Sequence, residues 1–183
     1  FTIYRHSDTI PESLITDDVT HVAAASDGNL WIATYWKGID YLDKATGHFT
    51  QYNKETVPEL VSDNIWSVAD GDNGKLYIGH VHHGFSVFSV REKRVKNFMH
   101  DPADPNSLPG NEVRCVYKDS NNNIWVGTNR GIALYNPESE NFIPFNSDKN
   151  LMHYVYDIRQ LDGNKLWIAM EFGGIAVMDL TQR

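Results

Sequence analysis

The sequence is poor in cysteine, in long apolar runs and in basic charge. Cys115 is the single cysteine among 183 residues, so no disulfide can form within the chain. No apolar run approaches the ~20 residues that a membrane-spanning helix requires, so no such helix is predicted. The 24 acidic residues outnumber the 16 basic ones. The resulting net charge of −8 argues against nucleic acid and anionic membranes as partners.

Helical periodicity is missing as well. No segment of useful length places apolar residues at the 3.6-residue spacing of a helix, so we expect an all-β fold. Residues 1–5 have neither the basic nor the apolar segment of a signal peptide, and the first residue is not methionine. We therefore expect a piece of a longer protein that starts inside a repeat.

What the sequence does have is one stretch that occurs four times. Each copy contains a polar turn, a short apolar strand, a loop, and a glycine that opens another strand. The apolar strands begin at Leu30, Leu76, Ile124 and Leu166, which gives steps of 46, 48 and 42 residues. Such a period with short strands is typical of the blades of a β-propeller.

Each repeat divides into four predicted strands. The innermost strand carries two apolar residues three positions apart, and the second of them lies eight residues before the next strand in every repeat. This constant offset predicts one hairpin register, with Asp, Asn and Gly in the turns. The predicted blades are residues 18–53, 64–99, 111–146 and 153–183, the last without its outer strand. Residues 1–5 are predicted to be the outer strand of a preceding blade.

A large aromatic residue recurs at one position of the second strand. A position that is aromatic in every repeat is more often packed between sheets than used for a ligand, so we expect these side chains to be largely buried. They are Trp31, Tyr77, Trp125 and Trp167.

The repeats resemble the two-component regulator propeller repeat. The third copy matches most fully, from Leu108-Pro109 and Asn111 through Trp125-Val126-Gly127-Thr128 to Gly131. The resemblance implies a periplasmic sensor segment of a hybrid two-component histidine kinase, which signals to transcription by a phosphorelay and responds to oligosaccharides. It also implies that this segment has no catalytic residues, cofactor or metal of its own.

Candidate ligand-binding residues lie in the loops between the second and third strands. These loops carry aromatic rings, hydrogen-bond donors and a carboxylate, which together suit a sugar, and their cations suit an acidic sugar or sulfate. The three histidines of one loop lack a further ligand nearby in sequence, so a zinc site is not predicted. The candidates are Tyr35, Trp36, Lys37, His80, His82, His83, Asn129, Arg130, Glu171 and Phe172.

Two other functions remain open at this point. The blades can be a scaffold or dimerisation module that binds no ligand, or they can belong to a secreted glycoside hydrolase or polysaccharide lyase. An unpaired apolar strand edge is a template for pairing. We therefore expect residues 1–5 to complete the fourth blade, either within one chain as a four-bladed ring or between two chains as a homodimer.

Overall fold

The computed structural model describes residues 1–71, 74–145 and 152–182. Its described residues form an all-β fold, as predicted, with a short 3₁₀ turn at Leu180–Gln182. Asn73 of the second predicted turn and residues 146–151 of the last predicted linker lie outside the described residues. No helix in the described part is long and apolar enough to cross a membrane. The strands are β1 Val19–Ala24, β2 Leu30–Thr34, β3 Ile39–Leu42, β4 Phe49–Tyr52, β5 Ile65–Asp70, β6 Lys75–His80, β7 Phe85–Ser89, β8 Arg94–Phe98, β9 Val113–Lys118, β10 Ile124–Thr128, β11 Gly131–Asn136, β12 Asn141–Pro144, β13 Val155–Asp162, β14 Lys165–Met170 and β15 Gly174–Asp179.

The strands form four antiparallel sheets in chain order. Strands β1–β4, β5–β8 and β9–β12 make three four-stranded sheets, and β13–β15 make a three-stranded one. Within each sheet, every strand pairs with its neighbour in sequence, which is the meander of a propeller blade. Among the described residues no strand flanks the outer side of β15, and residues 1–5 form no strand.

The predicted hairpin register holds in all four sheets. Val22 lies opposite Ile32, and the three later repeats pair equivalent residues in the same way. Each inner strand also carries a β-bulge near its start, as between Val19 and His21. A bulge leaves one residue out of the ladder and re-aims its side chain. That residue is Thr20, Trp66, Arg114 or Tyr156 in the four sheets.

Two glycines permit the close approach of the third strand to the fourth. Gly38 and Gly84 have positive φ angles of 93° and 71°. A Cβ on Gly38 would collide with the backbone oxygen of Tyr52, and one on Gly84 would collide with that of Phe98. Glycine is therefore required at both positions for conformational and steric reasons.

The chain forms two compact units. Unit 1 comprises residues 1–80 and 86–97. Its main core lies between the sheets β1–β4 and β5–β8, where Ile65, Val68 and Ile78 are fully buried and Trp31 packs against them. Tyr4 contacts Phe49 at 5.6 Å between ring centroids. The assignment of residues 1–5 to a preceding blade stays a prediction.

Unit 2 comprises residues 81–85 and 98–183. Trp125 is 0% exposed and packs with Ile158 and Ile168, and its indole Nε1 donates to Asp119 at 2.9 Å. Trp167 is only half-buried, unlike the other three aromatic residues at this position. The reason is that its cross-strand neighbours, Arg159 and Val177, are exposed on the same face.

Candidate functional site

In the first, third and fourth sheets, the loop between the second and third strands lies beside the start of the inner strand and is hydrogen-bonded to it. The first loop residue donates its backbone N–H to the residue just before the inner strand. Tyr35 donates to Asp18 at 3.1 Å, and Glu171 donates to Tyr154 at 2.8 Å. The repeated contact gathers loop residues and inner-strand residues at one end of each sheet, which we call the loop end.

In unit 1 the loop end carries an aromatic cluster of Tyr35, Trp36 and Trp66. The ring of Tyr35 lies 4.4 Å from that of Trp36 and 5.2 Å from that of Trp66. Trp36 is 57% exposed, and Lys37 beside it is exposed as well. Burial raises the pKa of Asp63, and the charge of Lys37 partly opposes this shift. The cluster therefore offers an open ring face next to a cation.

His80 is not part of this surface. It is the last residue of β6, is 0% exposed, and its Nε2 lies 2.7 Å from Ser86 Oγ. Because β6 is buried on both faces, the side chain of its last residue is shielded from solvent. The candidate role of His80 in ligand contact is therefore wrong, and the residue belongs to a buried polar chain that continues to Asn97.

In unit 2 the loop end carries a larger set of polar and aromatic groups. Tyr156 donates its hydroxyl to Glu171 Oε1 at 2.8 Å, and the guanidinium of Arg114 lies 5.9 Å from the Tyr156 ring. Tyr154 packs against Tyr156 with 5.3 Å between ring centroids. Phe172 beside them is 97% exposed and has a positive φ of 53°.

A carboxylate joins this set to the next loop. The carboxylate of Glu112 accepts a hydrogen bond from the Tyr154 hydroxyl. Burial together with the charge of Glu112 raises the pKa of Tyr154 to about 12. Glu112 Oε1 also accepts from Asn129 Nδ2 at 3.2 Å. We call these residues the loop-end cluster: Glu112, Arg114, Tyr154, Tyr156, Glu171 and Phe172.

A cleft of about 210 Å³ opens beside the loop-end cluster. It holds three groups that can carry positive charge, His82, His100 and Arg130, of which His82 and Arg130 are exposed. His100 is fixed by its Nδ1, which lies 2.6 Å from the Leu108 carbonyl oxygen. We call this the His82 cleft, and its lining comprises His82, His100, Gly110, Asn111, Glu112, Asn129 and Arg130.

The structure thus groups the predicted residues within each unit. Tyr35, Trp36 and Lys37 are neighbours in unit 1, and His82, Asn129 and Arg130 share a cleft in unit 2. His83 is half-buried, and its Nδ1 has no partner among the described residues. The repeat pattern does not identify the bulged residues Trp66, Arg114 and Tyr156. A signal in the sequence is that this strand position varies between repeats while the position before it stays apolar.

Metal binding and thiol chemistry find no support at these sites. Within residues 1–71, 74–145 and 152–182, no group of three or more His, Cys, Asp or Glu is placed to hold a metal ion. Cys115 is buried, and burial raises the pKa of its thiol to about 12. A thiol that stays protonated is a poor nucleophile, so Cys115 is a packing residue.

Comparison with known proteins finds similarity to propellers of two-component systems. The family model described as two component regulator propeller matches residues 13–36 and 107–130. The extracellular domain assigned to the hybrid two-component system BT3049 of B. thetaiotaomicron is 48% identical, with a TM-score of 0.87, over 99% of this chain and 23% of that one. The extracellular domain of BT4673 from the same organism is 18% identical, with a TM-score of 0.74, over 97% and 26%.

A more distant match shows the fold alone. Virginiamycin B lyase from Staphylococcus aureus is 15% identical, with a TM-score of 0.63, over 89% of this chain and 53% of the lyase. No curated protein matches the chain in sequence.

The fold and the repeats together define a segment of a β-propeller. Its first and third repeats match the two-component regulator propeller family. The chain spans about a quarter of the length of the two hybrid two-component relatives.

Proposed function

We propose that this chain is the periplasmic ligand-binding segment of a hybrid two-component histidine kinase and that its ligand is an oligosaccharide. The chain itself catalyses nothing, and the kinase and phosphorelay parts belong to the remainder of the parent protein. The relatives that are extracellular domains of hybrid two-component systems support this assignment.

The observation that carries the proposal is the loop-end cluster of unit 2. A sugar ring packs its apolar face on an aromatic ring while its hydroxyls pair with charged groups at the ring edge. Tyr156 and Phe172 supply exposed rings, and Glu171 and Arg114 flank Tyr156 with an acceptor and donors. A carboxylate or sulfate of an acidic sugar fits the neighbouring His82 cleft, where Arg130 can form two parallel hydrogen bonds to an anion.

Calorimetric titration of the chain with a panel of neutral, uronate-containing and sulfated oligosaccharides tests the proposal. Tyr156→Ala and Arg114→Ala should each weaken binding of the responding oligosaccharide by about tenfold, the effect of losing one well-placed contact. Arg94→Ala is the matched control, because Arg94 is an exposed arginine of β8 that pairs with Glu59 at 3.0 Å outside the cluster. Equal binding by all four proteins would refute the assignment of the cluster.

A scaffold or dimerisation role is the second candidate, and the edge strand β15 favours it. Ile175 is 70% exposed and Val177 is exposed on the same face, while no described strand pairs with the outer edge. An open edge with apolar side chains pairs readily with another strand. Residues 1–5, which include exposed Phe1 and Ile3, are the strand we propose for this pairing in a homodimer.

A further inference from the structure

Unit 1 contains a cavity of its own, at the opposite end of β2 from Tyr35 and Trp36. Its volume is about 310 Å³, which falls at the lower end of the ~300–1,000 Å³ typical of small-molecule sites. Three aromatic rings wall it: the Trp31 ring lies 4.7 Å from that of Tyr41 and 5.8 Å from that of Tyr52. We call it the hairpin-end cavity, because the β1–β2 turn borders it.

The acceptors of this cavity are held in place before any ligand arrives. Asp70 accepts from Trp31 Nε1 at 2.7 Å and from the Ser26 backbone N–H at 3.0 Å. The Tyr41 hydroxyl donates to Asp27 and accepts from Asn29 Nδ2. These hydrogen bonds lower the pKa of Asp27, so its carboxylate stays ionised at neutral pH.

Two donors of the cavity are not engaged by any residue that the structure describes. The Tyr52 hydroxyl makes no hydrogen bond to any described residue, although half of its side chain is buried against the core. The guanidinium of Arg91 stands at the rim and forms no ion pair within the described ranges. The cavity therefore combines fixed acceptors with donors that a ligand can use.

The same region of unit 2 shows what the fold alone requires there. Trp125 replaces Trp31 and pairs across the strands with Leu134, in the register in which Trp31 pairs with Tyr41. Phe145 packs on Trp125 at 5.4 Å, as Tyr52 packs on Trp31. Gln160 accepts from the Ser120 N–H at 2.8 Å, as Asp70 accepts from Ser26.

At four lining positions unit 2 has the less polar residue, whereas Asp119 stands where unit 1 has Ala25 and accepts from the Trp125 indole. Leu134, Phe145 and Gln160 stand where unit 1 has Tyr41, Tyr52 and Asp70, and Thr181 stands where it has Arg91. Leu134 and Phe145 simply extend the apolar core around Trp125. The Tyr52 hydroxyl and the Arg91 guanidinium are therefore more than the packing of these blades requires.

We propose that the hairpin-end cavity binds one neutral sugar unit. The ring face of the sugar packs on Tyr41 and Tyr52, its hydroxyls donate to Asp27, and they accept from Tyr52 and Arg91. Asp27 and Asp70 repel a carboxylate or sulfate, so anionic sugars are excluded. This site goes beyond the proposed function, since it shares no residue with the loop-end cluster.

Saturation-transfer NMR on the 183-residue chain tests the inference, with D-galactose, D-mannose and N-acetyl-D-glucosamine as neutral probes and D-glucuronate as the anionic one. At least one neutral probe should receive saturation, and D-glucuronate should receive none. Tyr52→Phe, which removes only a hydroxyl and creates the residue type found at position 145, should weaken that probe about three- to tenfold. Arg91→Thr should weaken it similarly, while Arg94→Thr, at an exposed arginine outside the cavity, should leave it unchanged.

Three results would overturn the inference. They are no transfer to any neutral probe, equal transfer in wild type and Tyr52→Phe, and preferential transfer to D-glucuronate. A response abolished by Tyr156→Ala but unaffected by Tyr52→Phe would place the sugar at the loop-end cluster. That outcome would sink the inference and leave the proposed function intact.

Discussion

A buried carboxylate in β3 makes the stability of this protein depend on pH. Asp40 is 0% exposed; its Oδ2 accepts the Ile15 backbone N–H at 3.0 Å, and its Oδ1 has no partner among the described residues. Burial disfavours the charged form and raises the pKa of Asp40 from 3.8 to about 6, against smaller opposite effects of the Ile15 hydrogen bond and of His6. The equivalent residues of β11 and β15, Ala133 and Ala176, cannot titrate.

The sign and size of the effect follow from proton linkage. Below pH 3.8 the carboxyl is protonated in the folded and unfolded states alike, so it has no pH-dependent effect. Between pH 3.8 and 6 the unfolded state releases its proton first, and the free energy of unfolding falls as pH rises. Above pH 6 the loss is complete and amounts to about 3 kcal/mol, from a shift of roughly two pKa units at ~1.4 kcal/mol each.

Urea denaturation of wild type, Asp40→Asn and Asp40→Ala, followed by tryptophan fluorescence between pH 4 and 7.5, measures this effect. The variants lose the titration, so their stability relative to wild type should increase by about 2.4 kcal/mol across that range, because the rest of the change occurs below pH 4. Changes in the Ile15 hydrogen bond or in packing shift both ends of the pH range equally and cancel in this comparison. Parallel pH profiles of the three proteins would show that folding does not raise the pKa of Asp40.

Two further predictions concern the blade core and self-association. Trp125→Ala should lower the free energy of unfolding by about 3–5 kcal/mol, because Trp125 is fully buried. Trp36→Ala, at an exposed tryptophan, should lower it by less than about 1 kcal/mol in the same denaturation assay. Light scattering should give twice the 20.9 kDa mass of one chain if residues 1–5 pair with β15 of a second copy. Deleting residues 1–5 should then restore the single-chain mass and lower the melting temperature; an unchanged mass and melting temperature would contradict strand completion.

The repeat pattern was sufficient to predict the blades and their register. The constant offset between Val22 and Leu30 and its counterparts fixed which residues face each other, because a hairpin turn of given length permits one register. It also placed Trp31, Tyr77 and Trp125 in the core. Trp167 departs from the pattern because burial depends on what packs over a strand, which the strand's own sequence does not contain.

The candidate site was less predictable, for two physical reasons. A bulge near the start of each inner strand changes the direction of the side chains of Trp66, Arg114 and Tyr156. The residue types at these positions do not predict a bulge. His80 was misassigned because the histidine-rich segment reads as a single loop, while β6 extends to His80 and buries it beside Ser86. Local polarity therefore indicated which end of the sheets carries these loops but not which side chains reach solvent.

An NMR titration of the ¹⁵N-labelled chain with the oligosaccharide that responds in calorimetry shows where that ligand binds. We expect saturable shifts of the backbone amides of Arg114, Tyr156, Glu171 and Phe172, because the proposed site places the ligand against these residues at the loop end of unit 2. Tyr156→Ala should abolish the shifts, and the amide of Arg94 should not move. Saturable shifts elsewhere that leave these four amides unmoved, or no shifts with any oligosaccharide of the panel, would contradict the proposed site.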